Sequence, residues 1–270
     1  RFDSTIQTCD KCGFMFATEV NWLDQVYTSP INLTDVGHVW RNEYAATLVE
    51  SIRPHVAPTD FFVDYGAGYG LFVRMMRDRG FRFHWNDPYC ENLFARGFDS
   101  DVDRVRRYRM ATAFEVFEHV PDPVETAREI QSLADGVVFS TTLIPPGLTS
   151  LSDWDYFGLE HGQHVSFYSA ESLSQLASKV GWEYTKLSEG WHYFGKPGDP
   201  FPGPMRSLLE GERKRSLVDR IVNRLGVTRR RPFTRLPSSN RGLIQSDYSN
   251  LKRLWLRGLF KEGENCDFEA

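Results

Sequence analysis

Between residues 36 and 195 the chain alternates two hydrophobic patterns. Trp40, Tyr44, Leu48 and Ile52 recur at four-residue steps, which predicts a helix over 36–53 that Pro54 stops. Phe61-Phe62-Val63-Asp64 is a short apolar run bounded by Asp60 and Gly66, and it predicts a buried strand. Leu71 to Arg79 is helical in period, with Gly80 placed as its C-cap. Phe81 to Trp85 and Ala111 to Val116 predict strands, and Val124 to Leu133 a helix. Val137 to Thr141 predicts another buried strand, with Pro145-Pro146 beyond it. A helix from Ser169 to Val180 and an antiparallel pair, Glu183 to Leu187 with His192 to Phe194, close the series. Strands alternating with helices imply an α/β fold: a mostly parallel sheet with helices on both faces.

The flanks break this pattern. Residues 1–35 read as an irregular N-terminal segment. Within it, Cys9-Asp10-Lys11-Cys12-Gly13 has the spacing of a zinc-knuckle turn, whose two thiolates can face one metal. A structural zinc takes four ligands, so this is a half-site, and zinc is expected only where upstream ligands complete it. Pro197, Pro200, Pro202 and Pro204 mark a linker. Beyond it, 205–226 and 247–260 predict helices around a loop at 229–246. The chain therefore divides into an N-terminal segment (1–35), a central α/β domain (36–196) and a basic helical extension (197–270).

Charge sharpens that division. Residues 1–200 carry 17 Lys and Arg against 28 Asp and Glu, whereas 201–270 carry 15 against 8. An acidic body with a basic tail fits docking of tail on body, or contact with a phosphate-bearing partner. Four cysteines without a framework spacing point to a reducing cytoplasm. No apolar run approaches the roughly 20 residues of a membrane helix. The chain starts at Arg1 with neither an initiator Met nor a signal-peptide pattern, so it is expected to begin inside a longer sequence.

The candidate chemistry begins at Asp64-Tyr65-Gly66-Ala67-Gly68-Tyr69-Gly70, a glycine-rich turn between strand and helix. Such a turn lets backbone approach a ligand closely. An acid is expected at the end of the second strand to accept from two ribose hydroxyls, and Asp87 stands there.

With these residues in place the chain resembles the class I S-adenosylmethionine-dependent methyltransferases over about residues 20–195. The likeness extends to Phe114-Glu115-Val116-Phe117-Glu118-His119-Val120-Pro121-Asp122-Pro123, similar to the motif after strand four in the ubiquinone and sugar branch. It extends also to His164-Val165-Ser166-Phe167-Tyr168-Ser169. The resemblance implies a Rossmann-like, seven-stranded sheet binding S-adenosylmethionine and releasing S-adenosylhomocysteine. Gly66 and Gly68 would pass beneath its methionine portion, and Asp64 would orient the loop or meet the amino group. Asp87 would hold the ribose, Glu115 would line the sulfonium, and Arg41 would pair with the carboxylate. No third strand with an adenine-side acid is evident; Asp99 or Asp101 is the substitute. The N-terminal segment resembles bacterial members with a zinc-ribbon head that accompany sugar or polysaccharide modification.

Methyl transfer to a hydroxyl needs a positioned base. His119 is the first candidate, followed by His164, His161 and Glu118, with Glu160 nearby. Several titratable groups at one sheet edge suit a polar acceptor such as a sugar. The spacing of His161 and His164 also allows a metal, although the family mostly works without one, and no metal is expected here. Tyr65, Tyr69, Trp154, Tyr156 and Phe157 form either an aromatic rim or core. The expected function is methyl transfer to a small-molecule or glycan acceptor, a sugar hydroxyl being the preferred class. The alternatives are an RNA or other nucleic-acid methyltransferase, disfavoured by the acidic body, and a non-catalytic cofactor-binding module.

Overall fold

A computed structural model describes residues 4–23, 36–100, 107–158, 162–212, 249 and 252–253. The strands are β1 (Ile6–Thr8), β2 (Met15–Ala17), β3 (Phe61–Tyr65), β4 (Arg82–Asn86), β5 (Met110–Phe114), β6 (Gly136–Ser140), β7 (Ser166–Phe167), β8 (Glu183–Lys186) and β9 (Trp191–Gly195). The helices are α1 (His38–Glu50), α2 (Leu71–Asp78), α3 (Pro123–Leu133) and α4 (Ala170–Lys179). Pro54 falls in a short 3-10 turn, Arg53–His55, just past α1.

The main sheet runs β4-β3-β5-β6-β9-β8. The first four strands are mutually parallel, and β9 is antiparallel to both neighbours. The resemblance implied seven strands; among the described residues there are six. At the place of the seventh, Asp99 forms a single parallel bridge to Trp85. The chain enters that edge through a tight turn. Asn92 accepts from the Ala95 amide and donates to the Ala95 carbonyl, so side-chain bonds hold the chain in a turn just before the bridge.

Alternation along the buried strands sends neighbouring side chains to opposite faces. Phe62, Met110 and Val138 join one core with Leu48, Val49 and Ile52 of α1 and Phe72, Val73 and Met76 of α2. Val63, Ala111, Ala113, Val137 and Phe139 join the other with Ala127 and Ile130 of α3 and Leu173 and Leu176 of α4. The sheet is therefore covered on both sides, as parallel strands require. α4 opens with a capping box in which Ser169 and Ser172 bond each other's backbone amides.

Two expectations for the flanks change. The described part of the N-terminal segment, 4–23, is not irregular. β1 and β2 form a hairpin, and β2 adds to β7 to make a second, three-stranded sheet. Phe14 packs on Tyr168 with ring centroids 5.3 Å apart, and Ser169 Oγ donates to the Cys12 carbonyl at 2.5 Å. The hairpin forms because these partners come from residues about 150 positions away. At the other end, the prolines from Pro202 do not belong to a linker. Helix begins at residue 202, where a proline in the first turn loses no helical hydrogen bond. Phe201, Met205 and Leu209 are buried with α1 and α2 in the first core. Beyond residue 212 the described residues are Ser249, Lys252 and Arg253, which are helical; the rest of the predicted extension, Arg229-Arg230-Arg231 included, lies outside the described residues.

Candidate functional site

Parallel strands bring the C-terminal ends of β3, β4, β5 and β6 to one edge, where open α/β sheets bind ligands. The glycine loop follows β3. Gly66, Gly68 and Gly70 all have positive φ, at 70°, 52° and 84°. Their surroundings differ. A Cβ on Gly66 would stand 2.6 Å from Val116 Cγ2, and one on Gly70 would stand 2.9 Å from Asn92 Oδ1. A Cβ on Gly68 would meet nothing within 4 Å. Gly66 and Gly70 thus pack against protein, and Gly68 is the point where backbone lies open to a ligand.

The end of β4 holds this loop. The Asn86 carbonyl accepts from the amides of Gly66 and Ala67, at 2.9 and 3.2 Å. Trp85 Nε1 donates to the Gly68 carbonyl at 2.7 Å. Asp87 Oδ2 accepts from the Gly68 amide at 2.8 Å, and its Oδ1 accepts from the amides of Tyr89 and Cys90 at 2.8 and 2.9 Å. Asp87 is therefore the brace between loop and strand as well as the expected ribose acid. Asp64, beneath the loop, is buried and accepts from Thr112 Oγ1 at 2.5 Å. Burial pushes its carboxyl up to about 7; the Thr112 bond opposes this and the Asp87 charge adds to it. Arg41 sits in the first turn of α1 and donates through Nη1 to the Val36 carbonyl at 2.9 Å.

Beyond β5, Glu115 is the one described non-glycine residue with positive φ, 54°. Ser140 at the end of β6 holds it there: the Glu115 amide donates to Ser140 Oγ at 2.8 Å, and that hydroxyl donates to Glu115 Oε1 at 2.7 Å. Such strain collects at functional sites because the surroundings over-determine it.

Three residues further on, Glu118 is fully buried. Its Oε1 accepts from Tyr156 Oη at 2.6 Å, while its buried Oε2 has no hydrogen-bond partner. Burial first, and then the Glu115 charge, push Glu118 up to about 8. His119 and His164 lie beside it, with ring centroids 4.9 Å apart. His119 Nδ1 meets the Gln163 carbonyl at 3.0 Å and His164 Nδ1 the Tyr156 carbonyl at 2.6 Å. A carbonyl can only accept, so both Nδ1 atoms carry hydrogen and Nε2 is the basic nitrogen of each neutral ring. The fold thus brings Glu118, His119 and His164 together. His161 and Glu160 lie outside the described residues.

The sequence pattern of a family described as methyltransferase domain matches residues 39–187, more than half of the chain. The chain belongs to this methyltransferase family. It has the class I S-adenosylmethionine-dependent methyltransferase fold. Among curated proteins nothing matches. Among solved structures it is similar to a calicheamicin-biosynthesis methyltransferase, with 13% identity, 57% of this chain, 54% of that one and a TM-score of 0.39. It is similar to the magnesium protoporphyrin IX methyltransferase of Synechocystis, with 15% identity, 63% and 90% coverage and a TM-score of 0.42. A third is the 1,6-didemethyltoxoflavin-N1-methyltransferase of Burkholderia thailandensis, with 14% identity, 70% and 96% coverage and a TM-score of 0.45. The chain spans about half the length of the first of these.

The glycine turn between strand and helix was legible in the sequence, but its clamp was not. The pattern predicts Trp85 as the end of a strand and gives Asn86 no role, although the strand runs on to Asn86; their adjacency to Asp87 is the available signal. Tyr156 was placed in an aromatic rim or core. It turns inward, its hydroxyl on Glu118 and 3.1 Å from Thr141 Oγ1. Phe157 is core, stacked on Phe167 at 4.8 Å.

The glycines of this methyltransferase should separate by experiment. Gly66→Ala meets both positive φ and the Val116 clash, and is expected to lose about 2–3 kcal/mol of stability in denaturant unfolding. Gly68→Ala is expected to lose about 1 kcal/mol, from its backbone conformation alone, yet to weaken cofactor binding. Equal stability losses would contradict the packing difference.

Asp64 sets a pH dependence. Its folded-state pKa is raised, so between about 4 and 7 the folded chain holds more protons than the unfolded one. The stability it contributes is present below about pH 4 and lost as pH rises through about 7. Asp64→Asn should therefore gain on wild type with rising pH, by up to about 4 kcal/mol between pH 4 and 8. Parallel denaturant titrations check this, and a constant difference would contradict it.

Proposed function

We propose that this methyltransferase transfers the methyl group of S-adenosylmethionine to an oxygen of a small-molecule or glycan acceptor, a sugar hydroxyl being the preferred class. S-adenosylmethionine supplies an electrophilic methyl on a sulfonium. The residues present fit it: the space over the Gly68 backbone is open, Asp87 holds the loop at that point, and Asp64 lies beneath it. Asp64 orients the loop from below, Asp87 takes the ribose, and Arg41 takes the carboxylate.

The observation that carries the acceptor side is the convergence of Glu118, His119 and His164 at the sheet edge that bears the glycine loop. An acceptor hydroxyl must lose a proton, and imidazoles held through Nδ1–H suit that task. His119 is the first candidate and His164 the second, with Glu118 and Tyr156 holding their surroundings. A polar cluster of this kind fits a hydroxylated acceptor better than an apolar one. The basic extension suits a phosphate on that acceptor, as in a nucleotide- or lipid-linked sugar. The division into segments 1–35, 36–196 and 197–270 and a cytoplasmic location belong to the same reading. Among the described residues no helix is long and apolar enough to cross a membrane.

The test is calorimetric titration with S-adenosylmethionine and S-adenosylhomocysteine, followed by a screen of sugar acceptors. Micromolar binding and methylated sugar support the reading. A folded chain that binds neither compound overturns it.

A further inference from the structure

Glu118, His119 and His164 each offer one ligand atom, a carboxylate oxygen or a ring nitrogen, and these atoms all lie within 4.8 Å of one another. Among the described residues no other group of three His, Cys, Asp or Glu side chains does so. Ligands around a zinc-like ion stand about 3–4 Å apart, so closure by about 1 Å would complete the geometry. We propose that Glu118, His119 and His164 form a binding site for a divalent transition-metal ion.

A second observation points to a ligand. Glu118 is wholly buried, and its Oε2 has no hydrogen-bond partner. A buried carboxyl oxygen left without a partner is destabilising unless a ligand meets it. The surroundings also have the form of an outer shell around a metal. Both imidazoles direct Nδ1–H at backbone carbonyls, Gln163 and Tyr156, the kind of bond that fixes ring orientation in histidine metal ligands. Tyr156 Oη fixes Glu118 through its other oxygen. The segments that carry the ligands are tied together: the Val165 amide donates to the Glu118 carbonyl at 2.8 Å, and Ser166 Oγ to the Val120 carbonyl at 2.7 Å.

Two imidazoles and one carboxylate select the ion. Magnesium and calcium take oxygen ligands, whereas zinc, cobalt(II) and iron(II) accept nitrogen and oxygen together. Three protein ligands leave coordination positions open, as in catalytic rather than structural sites. In the proposed reaction, on which only this consequence rests, an open position binds the acceptor hydroxyl and lowers its pKa. His119 and His164 are then ligands, and the ion does the activating.

The experiment uses the full chain carrying Cys9→Ser and Cys12→Ser, which removes the thiolate pair as a competing site. After chelator treatment it is titrated with Co2+ and with Zn2+, and S-adenosylmethionine affinity is measured in parallel. The expected result is one bound Co2+ with ligand-field bands and no sulfur-to-metal charge transfer. Glu118→Gln and His164→Ala should each weaken binding about 10-fold or more, with S-adenosylmethionine affinity unchanged. A folded chain with no saturable Co2+ or Zn2+ binding overturns the site, and so does binding that both substitutions leave intact. Metal binding at these residues without S-adenosylmethionine binding keeps the metal site and removes the proposed methyl donor.

Discussion

Asp87→Ala is expected to weaken S-adenosylmethionine binding about 100-fold or more in calorimetric titration, while the sheet stays folded. The substitution removes the acceptor for three backbone amides, those of Gly68, Tyr89 and Cys90. Hydrogen bonds to a charged acceptor contribute about 1.5–3 kcal/mol each, and 2.7 kcal/mol is already a factor of about 100 in affinity. Part of the loss is that of the expected ribose contact, and part is the release of the Gly68 turn. Asp87→Asn separates the two. The amide oxygen can still accept from the loop, so it should preserve the turn and lose only the charged contact. Its affinity is expected between those of wild type and Asp87→Ala. An Asp87→Ala affinity close to wild type would take Asp87 out of the binding site and leave it a purely structural brace.

His119→Ala is expected to lower kcat by about 100-fold or more with cofactor affinity little changed. His119 lies three residues beyond Val116 and its Nδ1 meets the Gln163 carbonyl, whereas Asp87 holds the Gly68 amide; in the proposed reading His119 serves the acceptor. Removing a positioned base costs about 100- to 10,000-fold, and removing a ligand of an activating ion acts on the same step. The free energy should fall on the chemical step and not on donor binding. The check is steady-state kinetics on a methylated acceptor beside a titration with S-adenosylhomocysteine. Unchanged kcat would exclude His119 from the reaction. A large loss of S-adenosylhomocysteine affinity would instead place it in the donor pocket.

Much of the fold was legible because each central element carries its own signal. Phe61 to Asp64 is apolar and followed at once by glycines; α3 starts at Pro123 behind Asp122, whose side chain accepts from the amides of Val124 and Glu125. These are local effects of side-chain period and capping. The N-terminal hairpin was not legible in that way. Its strands are three residues each, and its partner strand β7 lies some 150 residues away. The outer edge of the sheet is similar: among the described residues Asp99, a candidate acid in the sequence, makes one parallel bridge to Trp85, which no local pattern encodes.

The sequence by itself determined the α/β order, the glycine loop with Asp87 behind it, and the motif that carries Glu118 and His119. Those depend on neighbours in the chain, and neighbours are written in order. Tertiary structure alone decided that Asp87 braces Gly68, that Tyr156 turns inward onto Glu118, and that His164 stands beside His119. These contacts join residues 19, 38 and 45 positions apart. They exist because parallel strands deliver the ends of β3, β4, β5 and β6 to one edge, and no local period or spacing encodes which side chains meet there.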